Sequence, residues 1–259
     1  LLYGCASQSV LEKKLQVKEW RELYRIHLSY QPEKCLYSFI KDTAYVMDKE
    51  TAQIEIFRSG KKTNSIGGRG MDKLSFNSLS DIALAMDGTI FALDSFQKKI
   101  KRFDENGGFV SQMEISEIAY PTLFDVASDE TFYLYDEDRN EIAIVRKGSK
   151  IEHFGKFVLQ KPMFLLVKNN FITIYDEATG KTLFFSTFGK LLDERNGFVM
   201  RENQVDFQLR SNFIQPVNSE TMFAVSPETW NSFLIKHNAA VLLSEKGILV
   251  GRFFYETQH

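Results

Sequence analysis

A chain of 259 residues, 44% hydrophobic and 25% charged, has the composition of a globular protein, with room for one large domain or two small ones. Its net charge of −2, with both signs interspersed, excludes a general nucleic-acid binder, which needs a basic surface to displace counterions. Nothing approaches the roughly 18 consecutive apolar residues of a membrane-spanning helix, and 23 phenylalanines point to an aromatic core.

The first distinctive run is Leu2-Tyr3-Gly4-Cys5. A Leu three residues before a Cys, with Gly directly before it, resembles the lipobox of bacterial lipoproteins. The departures are Tyr3, where a smaller residue is usual, and the missing charged and apolar regions of a signal peptide. The resemblance implies lipidation at Cys5 and a place in the bacterial cell envelope, periplasmic or surface-exposed, with the membrane touched only through that anchor. Cys35 is then unpaired and buried as a small apolar residue; a Cys5–Cys35 disulfide is the alternative. "SVLEKKLQVKEWRELY" (Ser9–Tyr24) carries the chain's one stretch of helical periodicity. It predicts a short helical tether, so that residues 1–20 hold the lipobox remnant and tether and residues 21–259 form the folded domain.

From there the chain repeats. A strand ending in Asp recurs as "AYVMD" (Ala44–Asp48), "IFALD" (Ile90–Asp94), "FYLYD" (Phe132–Asp136), "ITIYD" (Ile172–Asp176) and, degraded, "MFAVS" (Met222–Ser226), at spacings of 46, 42, 40 and 50 residues. Glycines keep the same period at Gly60, Gly107, Gly148, Gly189 and Gly247, as do Pro32, Leu79, Pro121 and Pro162 some 15 residues before each Asp. In the second unit the strands read Asp81–Met86, Thr89–Leu93, Lys99–Phe103 and Phe109–Glu114. Asp87-Gly88 and Asn106-Gly107 punctuate it as two-residue hairpin turns, because these residues accept φ > 0. Within it, "QKKIKR" (Gln97–Arg102) reads as a solvated strand face. All-strand units of 40–50 residues predict a propeller, in which sheets packed radially bury both faces of each.

"IGGRGMDKLSFNSLSDIALAMDGTIFALDSFQKKIKRFDENGGFV" (Ile66–Val110) is similar to an NHL repeat, departing at Leu79, where Pro is usual. The resemblance implies an all-β, NHL-type β-propeller of four-stranded blades, of the kind found in bacterial lipoproteins. Five repeats are detected, which gives five blades, with six as the alternative. "RELYRIHLS" (Arg21–Ser29) precedes Pro32 as a fourth strand should, so it either completes the fifth blade or belongs to a sixth.

Ligand sites on propellers sit on the face shared by the second-to-third-strand loops and the blade-to-blade connections, since a rigid scaffold holds those loops in place. Two stretches exceed a minimal blade: Lys190–Asn212 and Ser226–Asn238. The second contains Trp230, Phe233 and His237, candidate partner contacts together with Arg139, because aromatic and Arg anchors dominate binding hot spots. The recurring Asp48, Asp94, Asp136 and Asp176 read as loop braces that accept backbone N–H groups. A sharper acidic cluster, Asp136, Asp138 and Asp176, is a candidate site for Ca2+. No nucleophile elbow, phosphate-binding loop or His-Glu-x-x-His motif occurs. The sequence therefore points to a non-enzymatic envelope propeller that binds a protein, peptide or glycan. The alternative is a metal-dependent lactonase, hydrolase or lyase with its site at the central channel.

Overall fold

A computed structural model describes residues 15–168, 170–202, 205–210, 213–217, 221–225, 232–236 and 239–257. Among the described residues every regular element is a strand, and the strands form six antiparallel four-stranded sheets. Blade one is β2 (Lys34–Ser38), β3 (Thr43–Asp48), β4 (Gln53–Arg58) and β5 (Lys61–Gly67). Blade two is β6 (Leu79–Leu84), β7 (Ile90–Asp94), β8 (Lys99–Phe103) and β9 (Phe109–Glu114). Blade three is β10 (Pro121–Val126), β11 (Phe132–Asp136), β12 (Glu141–Val145) and β13 (Glu152–Phe154). Blade four is β14 (Pro162–Lys168), β15 (Phe171–Asp176), β16 (Lys181–Ser186) and β17 (Leu191–Asn196). Blade five is β18 (Val199–Glu202), β19 (Val205–Arg210), β20 (Phe213–Pro216) and β21 (Phe223–Ala224). Blade six is β22 (Ser232–Lys236), β23 (Ala239–Ser244), β24 (Gly247–Thr257) and, closing the ring, β1 (Leu15–His27).

The radial order explains the sequence pattern. First strands of successive blades touch one another, β2 to β6 to β10 to β14 and β18 to β22, so they line the axis. Second strands lie between two neighbouring sheets and are buried on both faces, as in β3, β7, β11 and β23. They therefore read as unbroken apolar runs. The outermost strands β5, β9 and β17 face solvent and are polar. Blade pairs bury their facing surfaces together. One cluster joins Phe91, Leu93 and Ile100 to Phe124 and Leu134, and another joins Tyr135 and Ile142 to Ile172 and Ile174.

Closure comes from β1 pairing antiparallel with β24, from Leu15↔Thr257 to His27↔Gly247. The indole of Trp20 sits against Gly251, where an added Cβ would fall 2.2 Å from the ring, and packs 4.9 Å from Phe253. The helical tether expected over Ser9–Tyr24 is thus a strand from Leu15 onward, and Ser9–Lys14 lie outside the described residues. The misreading has a physical cause. Bulges between Val17 and Glu19 and between Glu22 and Tyr24 insert extra residues. The inward residues Val17, Trp20 and Tyr24 are thereby spaced by three and four, the helical interval.

Six blades replace the five read from the repeat. The stretch Lys190–Asn212 is not a loop: it contains β17, β18 and β19. "MFAVS" holds β21, the fourth strand of blade five, rather than a second strand, and Gly247 opens β24 rather than closing a third strand. Likewise Ser226–Asn238 is interrupted by β22 at Ser232–Lys236. "RELYRIHLS" does not complete the fifth blade: it lies largely in β1, the fourth strand of a sixth.

Candidate functional site

The recurring aspartates act as braces. Asp94 is fully buried and accepts N–H groups from Asn77 (2.8 Å), Ser78 (3.2 Å) and Gln97 (3.0 Å). Asp136 accepts from Ala119 and Tyr120, and Asp176 from Gln160, Lys161 and Thr179. Each carboxylate ties the end of a second strand to the connection entering its own blade. In blade two the same connection is held by Lys101, which is fully buried rather than solvated. Its ammonium donates to the carbonyls of Asp72 (2.8 Å) and Ser75 and lies 5.2 Å from the Phe76 ring.

Axial geometry grows out of the same repeat. In blades two, three and four the first strand is bulged one residue after the landmark, between Leu79 and Asp81, Pro121 and Leu123, and Pro162 and Phe164. A bulge re-aims the residue that follows it. Asp81, Leu123 and Phe164, with Lys34 at the equivalent place in blade one, all line a cavity of about 310 Å³ at the mouth of the channel. This mouth opens on the face of the second-to-third-strand loops, since Lys34, Asp81, Leu123 and Phe164 lie at the starts of their strands.

The ring they form has two halves. On blades one and two, Lys34 Nζ sits 2.7 Å from Asp81 Oδ1, with Asp81 2% exposed. The amides of Ile82 and Phe124 also donate to Asp81, each at 2.8 Å. Burial pushes the Asp81 carboxyl up, against the pull of the Lys34 ammonium and the two amides. Asp125 similarly accepts the Val167 amide at 2.6 Å. First strands present unpaired edges to the channel, and these carboxylates supply the missing acceptors from blade to blade. On blades three to five the wall is mainly apolar, with Leu123, Phe164, Tyr175 and Phe198 beside Asp125 and Glu177, and Phe198 lies 5.1 Å from both the Phe164 and Tyr175 rings. Further along the first strands, Lys168 of β14 pairs with Glu202 of β18, both nearly buried. The acids at the rim are paired too, Glu33 with Lys49 at 3.5 Å and Glu177 with Lys161 at 2.6 Å.

The residues singled out from sequence fall elsewhere. Phe233 is inside β22, fully buried, its ring 5.3 Å from Phe198. Arg139 is exposed, with its Nε 3.7 Å from Asp136. Asp138 is exposed, whereas Asp136 and Asp176 are buried and hold backbone amides. The structure does not gather these three acids, and no group of three His, Cys, Asp or Glu side chains suited to a metal ion occurs among the described residues. Trp230, His237 and Cys5 lie outside the described residues. Cys35 is buried in the pocket wall, and burial pushes its thiol up. Lys34 and Asp81 went unread because each looks like an ordinary strand-end charge. The available signal was positional: both stand two residues after a repeat landmark, Pro32 and Leu79.

No family model and no curated protein matches the chain. Solved structures do. A gluconolactonase from Xanthomonas campestris superposes with a TM-score of 0.65 at 12% identity, over 91% of this chain and 89% of that one. A catalytically inactive variant of virginiamycin B lyase from Staphylococcus aureus, solved with quinupristin, gives 0.61 at 13%, over 94% and 100%. A streptogramin B lyase gives 0.57 at 14%, over 85% and 78%. At these identities the likeness is one of fold: the chain is a six-bladed β-propeller whose structural neighbours are lyase and gluconolactonase propellers.

Proposed function

We propose that this propeller acts on a small organic molecule at the mouth of its central channel, by hydrolysis or elimination. This reading is favoured over a loop-face binder of a protein, peptide or glycan. The observation that carries it is the 310 Å³ axial cavity with the Lys34–Asp81 pair in its wall. Concave, largely apolar pockets with a few convergent polar groups are the usual form of a small-molecule site. The lyase and gluconolactonase neighbours give the reading independent support.

The chemistry follows from the groups present. An ammonium carries three donors, and one of Lys34's is committed to Asp81. Its remaining donors suit a carbonyl oxygen, where they would stabilise the negative charge that develops as water adds or as a neighbouring bond breaks. In the hydrolytic form, water forms the new C–O bond and the acyl C–O bond breaks. The proton from water ends on the departing alkoxide. Tyr175, which lines the same cavity, is among the described residues the one hydroxyl-bearing aromatic side chain in its wall. The described carboxylates do not fit a divalent cation, because Asp81 is held by Lys34 and Asp125 by the Val167 amide, so no step is routed through a metal.

A panel of lactones and aryl esters tests the proposal on the wild type and on the double variant Lys34→Met, Asp81→Asn. Removing the pair together leaves no charge stranded in the wall. Loss of one oxyanion donor costs about 100- to 1000-fold in turnover, and a loss of that size is expected. Turnover unchanged in the double variant would take the channel out of the reaction. No turnover and no saturable binding across the panel would favour the loop-face binder.

A further inference from the structure

In a ring of six blades, blade four stands across the axis from blade one and blade five across from blade two. The Lys34–Asp81 pair therefore looks over the cavity at the side chains of blades four and five, and these are rings. Phe164 and Tyr175 are direct cross-strand neighbours in blade four, so they share one face of its sheet. Phe198, immediately before β18, closes on both at 5.1 Å, edge-to-face with Phe164 and tilted by 39° to Tyr175. Behind it stands Phe233 of blade six, fully buried and 5.3 Å from the Phe198 ring, which holds the wall in place. The three lining rings are only half-buried, so each keeps surface for an occupant of the cavity. The carboxylates on this side are already engaged, Asp125 with the Val167 amide and Glu177 with Lys161.

We infer that the substrate carries a single aromatic ring beside its reacting carbonyl. The ring packs on Phe164, Tyr175 and Phe198, and the carbonyl crosses the axis to Lys34. Size sets the single ring. A cavity of about 150 Å³ is enough to hold benzene, so 310 Å³ takes one such ring and a polar group of similar bulk. Chemistry sets its aromaticity. Rings fixed edge-to-face and tilted offer a guest both edges and faces, and ring quadrupoles reward an aromatic guest over an aliphatic one of equal area. The inference rests on the axial pocket being the working site.

Titration calorimetry with N-benzylacetamide, N-(cyclohexylmethyl)acetamide and N-(1-naphthylmethyl)acetamide separates the site from its ring preference, because the three share one amide and differ only in the ring. In the wild type the benzyl amide is expected to bind about two- to twelvefold tighter than the cyclohexylmethyl amide. The naphthylmethyl amide should bind no tighter than the benzyl one. In Phe198→Leu and in Phe164→Leu, each checked for a wild-type circular-dichroism spectrum, the benzyl preference falls toward one while the cyclohexylmethyl amide still binds. Equal wild-type affinity for the benzyl and cyclohexylmethyl amides overturns the inference while leaving the axial site standing, and needs no variant to fold. So does a preference that survives both substitutions, or tighter binding of the naphthylmethyl amide. Failure of all three amides to bind removes the axial site itself.

Discussion

Replacing Asp94 by Ala separates a brace from a catalyst or metal ligand. The side chain is fully buried and its two oxygens hold three backbone amides, those of Asn77, Ser78 and Gln97. Alanine strands all three. A hydrogen bond to a charged acceptor contributes about 1.5–3 kcal/mol net. Three of them, discounted for water reaching the vacated space and for no longer burying a carboxylate, leave a destabilisation of about 3–4 kcal/mol. Unfolding entropy near 2.1 cal/mol/K per residue, over 259 residues, converts this to a fall in Tm of about 5–7 °C. Circular-dichroism melts of wild type, Asp94→Ala and the exposed control Asp138→Ala, with and without chelator, make the measurement. The control should move by no more than about 0.5 kcal/mol, and chelator should change neither. An Asp94→Ala melt within a degree of wild type would refute the brace. So would a wild-type melt that falls on chelation to the level of the variant.

Three further outcomes are expected. Trp20→Ala removes the half-buried indole that lies over Gly251 and packs on Phe253; it should cost about 2–3 kcal/mol, and Gly251→Ala should also destabilise by forcing that ring away. Burial pushes Tyr45 and Tyr135 up to about 12 from 10.0. Their folded-state protonation therefore stabilises fully below pH 10 and is lost between about 10 and 12, so tyrosinate absorbance should rise together with unfolding rather than before it. Lipidation at Cys5, carried forward as a proposal, predicts that Cys5→Ser moves the protein from membrane to soluble fractions when expressed behind a lipoprotein signal peptide. An unchanged distribution would remove the anchor.

The legible part of the fold was the part built from local turn chemistry. Blades one to four announce themselves through the strand-ending Asp and the glycine that follows the next strand, and Gly88 and Gly107 do adopt φ of 91°. Blade five has strands of four and two residues at its edges and no Asp at the end of β19. Blade six ends its second strand in Ser244. Without the brace there was no landmark, and the fifth copy was set on the wrong strand. The site was illegible for another reason. Lys34 and Asp81 lie 47 residues apart and meet only because the first strands of adjacent blades converge on the axis. No local motif encodes a pair of this kind, although the repeat alignment holds it in the matching positions after Pro32 and Leu79.

The β1–β24 pairing sets an order of events for a growing chain. The strand β1 has no partner until β24, some 220 residues later, is made, so until then the propeller is an open arc with β1 an unpaired edge. Such edges are templates for intermolecular pairing, and contacts of this sequence separation form late. The seam is therefore where a nascent or heated chain would exchange strands with a neighbour. A circular permutant that joins the end of β24 to the start of β1, which the Leu15–Thr257 pairing brings together, and opens between two intact blades would fold without that wait.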